Sequence, residues 1–183
     1  MVTTIKGALL SRGARSRPVE TKPPAGISPV PVPIPISRSS NLRVKKEFTD
    51  YDKDRFIKDG FEYLANFFEN SLNELIQRNP DLNQVFRRID ANRFTAVVYK
   101  AGKKLCRCSI QIGGMVGGIS YSGDENARSN TFNESLSVEA DEQDLYFKAL
   151  GMSGMDAREK KLTFEGAAEA YWGLFLKPAQ PRN

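Results

Sequence analysis

Proline divides this chain in two. Seven of its ten prolines precede residue 49, and none lies between Asp81 and Lys177. Proline has no N–H for a sheet ladder and its fixed φ interrupts helices. The long proline-free stretch is therefore free to form a continuous sheet, and the proline-dense stretch before it is not. Within the latter, Pro29-Val30-Pro31-Val32-Pro33-Ile34-Pro35 favours an extended polyproline II spacer. The chain reads as a disordered basic Pro-rich tail and linker over residues 1–48, a globular domain over 49–178 and a short C-terminal tail over 179–183.

Charge follows the same boundary. Residues 1–48 hold nine Lys/Arg and two Asp/Glu, and residues 49–183 hold 18 Lys/Arg and 20 Asp/Glu. The net charge of +5 thus belongs to the tail, and the domain is slightly acidic. Whole-surface attraction of the domain to a polyanion is not expected. Arg12, Arg15 and Arg17, in an acid-free N-terminal stretch, are the tail residues placed to be read by an acidic partner or by an import or export receptor. The apolar stretch Gly7-Ala8-Leu9-Leu10 is too short for a secretory signal, and no apolar run reaches membrane-spanning length. Cys106 and Cys108 sit two apart, side by side on one strand face, where they pair poorly. They read as reduced core thiols in a cytoplasmic setting, with organelle import or export through the N-terminal segment as the alternative.

Thr49-Asp50-Tyr51-Asp52 has the form of a capping box. Ile57, Phe61, Leu64, Phe68, Leu72, Leu75 and Ile76 then recur at helical spacing until Asn79-Pro80, which predicts a helix over 50–78. Beyond it the period changes to two. Strands are expected at 85–89, 93–100, 103–112, 119–122, 136–140 and 145–150, the first of them short. Thr163 caps a last helix bearing Phe164, Ala168, Tyr171, Trp172 and Phe175, which ends at Lys177-Pro178. The expected fold is α+β: an antiparallel β meander of about five strands, with N- and C-terminal helices packed on one face.

If the helices cover the face carrying Phe94, Ala96, Val98, Cys106, Cys108 and Ile110, the opposite face can be read off by parity. It carries Thr95, Val97, Tyr99, Arg107, Ser109, Gln111, Ser120, Ser122, Ser135, Ser137, Glu139, Tyr146 and Lys148. Tyr99, Arg107, Tyr146 and Lys148 are its candidate partner-binding residues. They form a sparse version of the aromatic and basic surface on which RNA-binding sheets stack bases. A solvated face or a subunit interface fits the same pattern.

Chemistry is narrowed mostly by exclusion. There is no histidine, so His-based triads, relays and metal sites are absent. Gly113-Gly114-Met115-Val116-Gly117-Gly118 lacks both the Gly-Lys-Ser/Thr ending and the helix of a phosphate loop, and reads as a hairpin loop. Asp141-Glu142-Gln143-Asp144 lacks the spacing of a calcium loop and reads as a solvated turn. Glu165 and Glu169 form an i, i+4 pair at a helix start, without a partner motif. No catalytic residue, metal or cofactor is expected.

The runs Phe86-Arg87-Arg88-Ile89-Asp90-Ala91-Asn92-Arg93-Phe94 and Leu162-Thr163-Phe164-Glu165-Gly166-Ala167-Ala168-Glu169 resemble small bacterial proteins loosely labelled Tir-chaperone-like. The resemblance spans about residues 50–178. It implies a small acidic α+β protein that dimerises and holds a client in extended form, and it carries over no binding residue. The resulting expectation is a non-enzymatic protein-interaction module, a secretion-chaperone-like or accessory subunit on a flexible N-terminal tether. It would bind a protein partner or client and form a homodimer. The alternative is a nucleic-acid binder using the basic tail and the polar sheet face.

Overall fold

The computed structural model of the chain describes residues 42–113, 117–127, 133–150 and 160–180. Contacts divide the chain into two units, Met1–Ser40 and Asn41–Asn183. The first lies outside the described residues, and with it Arg12, Arg15 and Arg17. The boundary expected at residue 48 falls inside the second unit.

The first helix, α1 (Asp50–Arg78), begins at the capping box read from the sequence. The Thr49 hydroxyl accepts from Asp52 N–H at 3.2 Å, and Asp52 Oδ2 accepts from Thr49 N–H at 2.8 Å. The Thr49 hydroxyl also donates to Asp52 Oδ2 at 2.7 Å, and this bond, followed by the one from Thr49 N–H, holds the Asp52 carboxyl below its ordinary pKa. At the other end Asn79 N–H reaches back to Leu75 and Ile76, and Pro80 prevents another turn. One stripe of α1 is buried, from Gly60 and Phe61 through Leu64, Ala65 and Phe68 to Leu72.

Six strands follow in a sequential antiparallel meander: β1 (Leu82–Asp90), β2 (Arg93–Lys100), β3 (Lys103–Ile112), β4 (Ile119–Ser122), β5 (Glu134–Ala140) and β6 (Leu145–Ala149). The six strands fall on the six expected segments, one above the approximate five of the fold description. β1 extends well beyond the short segment expected at 85–89. Leu82, Gln84 and Phe86 alternate against α1, so burial on that row carries the strand back to the turn after Pro80. The β2–β3 turn places Ala101 at φ 48° and Gly102 at φ 74°, the left-handed pair of a tight hairpin.

The second helix, α2 (Phe164–Leu176), is capped by the Thr163 hydroxyl and runs into a short 3₁₀ turn at Lys177–Ala179. Both helices pack on one sheet face, over Phe94, Ala96, Cys108, Ile110, Ile119, Leu136 and Phe147. Tyr171 is fully buried there and its hydroxyl donates to Ile119 O at 2.7 Å. Trp172, expected in the core, is only half-buried and edges onto Phe67 and Phe68.

Candidate functional site

The face opposite the helices carries the residues that parity assigned to it, but much of it is covered. Ser109, Ser120, Ser122 and Ser135 are 1–5% exposed, where an open hydroxyl-rich surface was expected. The cause is the chain after β4, which turns back over the sheet. Arg93 on β2 holds that segment down. Its Nε donates to Ser109 Oγ at 3.0 Å and its Nη2 to Ala127 O at 2.7 Å, placing buried Ala127 over the serines. A polar loop hid this return: only Ala127 marks it, and one alanine is no signal.

The four candidates of the sheet face do not converge. Arg107, on β3, lies with its Nε 3.7 Å from Glu125, which also takes a hydrogen bond from Lys104. That bond raises the Lys104 pKa. Tyr99, on β2, is half-buried opposite Lys104. Tyr146 and Lys148 lie on β6, three strand steps from β3, or about 14 Å. Lys148 Nζ is 3.1 Å from Glu139, the Tyr146 hydroxyl 3.4 Å from the same carboxylate, and Lys161 Nζ 5.0 Å from the Tyr146 ring centre. The two candidate cations are thus each paired with a glutamate, Arg107 with Glu125 and Lys148 with Glu139. A stacking surface for bases needs exposed rings beside unpaired cations, and these four residues do not supply it.

A cleft of about 560 Å³ opens where β4 ends and β3 continues. Lys104, Arg107 and Lys177 stand around it, with Leu105, Leu174, Tyr121 and Glu134. Glu134 is 1% exposed on the helix-side face of β5. It lies outside the strand expected at 136–140, because β5 starts two residues earlier than the apolar alternation. Burial raises the Tyr121 phenol well above its ordinary value, so it stays protonated. Cys106 and Cys108 are free and buried, and burial raises both thiols, which keeps them poor nucleophiles. Glu165 and Glu169 are exposed on α2. Among the described residues no group of three or more Cys, Asp and Glu is placed to hold a metal ion.

The acidic turn between β5 and β6 is solvated, with Glu142 and Asp144 exposed, and it also acts as a clamp. Asp141 Oδ1 accepts from the N–H groups of Gln143 and Asp144, both at 2.8 Å, and its Oδ2 binds Lys161 Nζ at 2.6 Å. The chain leading into α1 joins it. Lys46 N–H donates to Glu142 O at 2.9 Å, and Gln143 Nε2 to Val44 O at 2.8 Å.

The two edges of the sheet differ. At the β6 edge, Phe147 and Leu162 exchange both backbone hydrogen bonds, each 2.9 Å, so the strand is capped. At the opposite edge β1 pairs with β2 alone and has no strand on its other side among the described residues. Its exposed aliphatic side chains are Val85, at 43%, on the outer row and Ile89, at 49%, at a bulge between Arg88 and Asp90 where it has no partner on β2. A nine-residue edge strand with exposed aliphatic side chains is a template for another strand.

Comparison with known proteins assigns this arrangement to a family. The Y4lF protein domain matches residues 83–177, from β1 through α2. The chain belongs to the Y4lF family. The y4lF protein of Sinorhizobium fredii is 47% identical over 171 residues, which cover 91% of this chain and 50% of that relative. The chain therefore spans half the length of the relative it matches. No solved structure matches it. The runs at 86–94 and 162–169 both fall inside the Y4lF domain, which carries that name rather than the Tir-chaperone-like label. Within the domain lie both sheet edges, almost the whole of β1 and the Leu162 cap. No helix among the described residues is long and apolar enough to cross a membrane.

Proposed function

We propose that the Y4lF domain of this chain is a non-enzymatic protein-interaction module, a chaperone-like or accessory subunit acting in the cytoplasm with residues 1–48 as its tether. The observation that carries this reading is the unequal treatment of the sheet edges. One is closed by Leu162 and the other, with Val85 and Ile89 exposed, is open. Soluble domains usually blunt an exposed edge with charge, proline, a bulge or a covering segment; on β1 the bulge and Asp90 come at its end, and the stretch Leu82–Arg88, with Val85 exposed, is left regular enough to fit a partner strand. The carboxylates bound to Arg107 and Lys148 favour this reading over nucleic-acid binding by the sheet face.

The test compares the tagged full chain with its Val85→Lys/Ile89→Lys variant in co-purification from the native host, with size-exclusion chromatography of each. The module reading expects a defined macromolecular complex that the wild type forms and the variant loses. A chain that forms no complex, yet turns over a small substrate, refutes it.

A further inference from the structure

The open edge lies beside a helix that carries an unmatched charge. α1 runs back along β1, with Gln84 Nε2 donating to Asn73 Oδ1 at 3.2 Å and Arg88 Nη2 to Glu62 at 2.6 Å. Glu69 lies between Glu62 and Asn73 at helical spacings of seven and four, hence on the same side of α1. From Asp59 to Gln77 the helix has four carboxylates and no cation. Asp59 pairs with Arg55, Glu62 with Arg88 and Glu74 with Arg78. Glu69 is exposed and has no ion-pair partner among the described residues, although its field reaches Arg88. Next to it on the α1 side of β1 is the half-buried Phe86. On the outer row exposed Arg87 follows Val85, and exposed Ile89 comes next at the bulge.

This inference rests on the interaction-module reading and names the partner's chemistry. We propose that β1 takes up an extended segment of a partner protein as a seventh strand. That segment carries lysine or arginine opposite Phe86, a carboxylate opposite Arg87, and aliphatic residues opposite Val85 and Ile89. Directly opposed residues share a face, so the cation lies on the α1 side and the other three on the outer row. The stem of a lysine covers the Phe86 ring while its ammonium reaches Glu69, the usual way a long cationic side chain spans apolar surface. A second copy of the chain fits less well. Twofold pairing centred on Phe86 sets Val85 against Arg87, pairing centred on Arg87 sets that cation against itself, and pairing centred on Val85 sets Asn83 against Arg87 and Gln84 against Phe86, with no opposite charge for Arg87 or Glu69.

The experiment is a nuclear magnetic resonance titration of the full chain with two capped peptides. The matched probe reads Thr-Val-Thr-Glu-Lys-Val-Thr, for antiparallel addition, and the control exchanges its Glu and Lys. The expected result is shifted, exchange-protected amides confined to Leu82–Asp90, with the control weaker by about fivefold, as two exposed ion pairs allow. Glu69→Gln should weaken only the matched probe, and Val85→Lys/Ile89→Lys should remove both responses. Equal binding of both probes at β1 overturns the charge assignment while leaving the open-edge reading standing. No response at β1 in a monomeric chain overturns both. A dimer in sedimentation with β1 amides already protected shows that a second copy holds the edge, and overturns the partner assignment.

Discussion

Gly60 in the middle of α1 tests the helix–sheet packing, because two effects of opposite sign meet there. Glycine in a helix interior costs about 1 kcal/mol relative to alanine, so propensity alone makes Gly60→Ala stabilising. Packing reverses the sign. A Cβ at this position would lie 2.5 Å from Phe147 Cζ, 2.6 Å from its Cε2 and 3.2 Å from Phe164 Cε1. Phe147 cannot easily retreat: it is fully buried, its ring centre is 5.0 Å from that of Phe56, and its backbone is bonded twice to Leu162. Overpacking of this kind costs about 1–3 kcal/mol. An approach this far inside the normal carbon–carbon separation of about 3.5–4.0 Å belongs at the top of that range. After the helix gain, the net loss is about 2 kcal/mol.

Urea unfolding followed by the fluorescence of Trp172, the only tryptophan, reads this directly. Its ring lies 5.3 Å from those of Phe68 and Phe175, so unfolding changes its surroundings. The decisive measurement is a double-mutant cycle with Phe147→Leu, which removes the obstructing ring. In that background Gly60→Ala should be neutral or stabilising by up to about 1 kcal/mol, giving a coupling of about 2–3 kcal/mol. A stabilising effect in the wild-type background, or an equal loss in both, refutes the reasoning.

The Asp141 clamp has a defined pH window. Hydrogen bonding from Lys161, then from Gln143 and Asp144, depresses the Asp141 pKa, so its contribution is present above the ordinary carboxylate value of about 3.9 and is lost as pH falls below it. Lys161 is raised, chiefly by the same hydrogen bond, and its contribution is lost only as pH rises past about 10.4. The stability difference between wild type and Asp141→Asn should therefore be flat from about pH 5 to 9 and shrink towards both extremes. Gly118 has φ 109° and a Cβ there would meet Leu136 O at 2.0 Å, so Gly118→Ala should cost at least about 2 kcal/mol, measured by urea unfolding. Native Cys106 and Cys108 should react with a thiol reagent only at the rate of unfolding, and fast labelling at neutral pH would contradict their burial.

The fold was legible wherever a local pattern coincided with a tertiary role. The capping box, the seven-residue apolar stripe of α1 and the alternation of β2 and β3 each state a face, and the face was buried. The ends of β1 and β5 were harder. Leu82 and Gln84 join the sheet because α1 lies beneath them, and Glu134 is buried although no sequence rule buries a lone glutamate. The acidic turn is solvated as its sequence suggests, but its clamp was not legible, because Lys161 and the backbone of Val44 and Lys46 that bind it come from distant parts of the chain.

The candidate site belongs to a level that parity cannot reach. Period two assigns each side chain to a face, and Tyr99, Arg107, Tyr146 and Lys148 were indeed on one face. It says nothing about how far apart in strand order they stand, what lies over them, or which edge of the sheet is closed. Those depend on where single residues outside the pattern settle: Ala127 over the serines, Glu125 and Glu139 on the cations, Leu162 along β6. The same closure gives the domain its asymmetry. Leu162 occupies the backbone of Phe147 that a partner strand would need, so addition at β6 requires breaking two hydrogen bonds, whereas addition at β1 breaks none among the described residues. With Arg107 and Lys148 paired to carboxylates, the strand edge that carries Arg87 beside Glu69 is where this domain can gain most by meeting another chain.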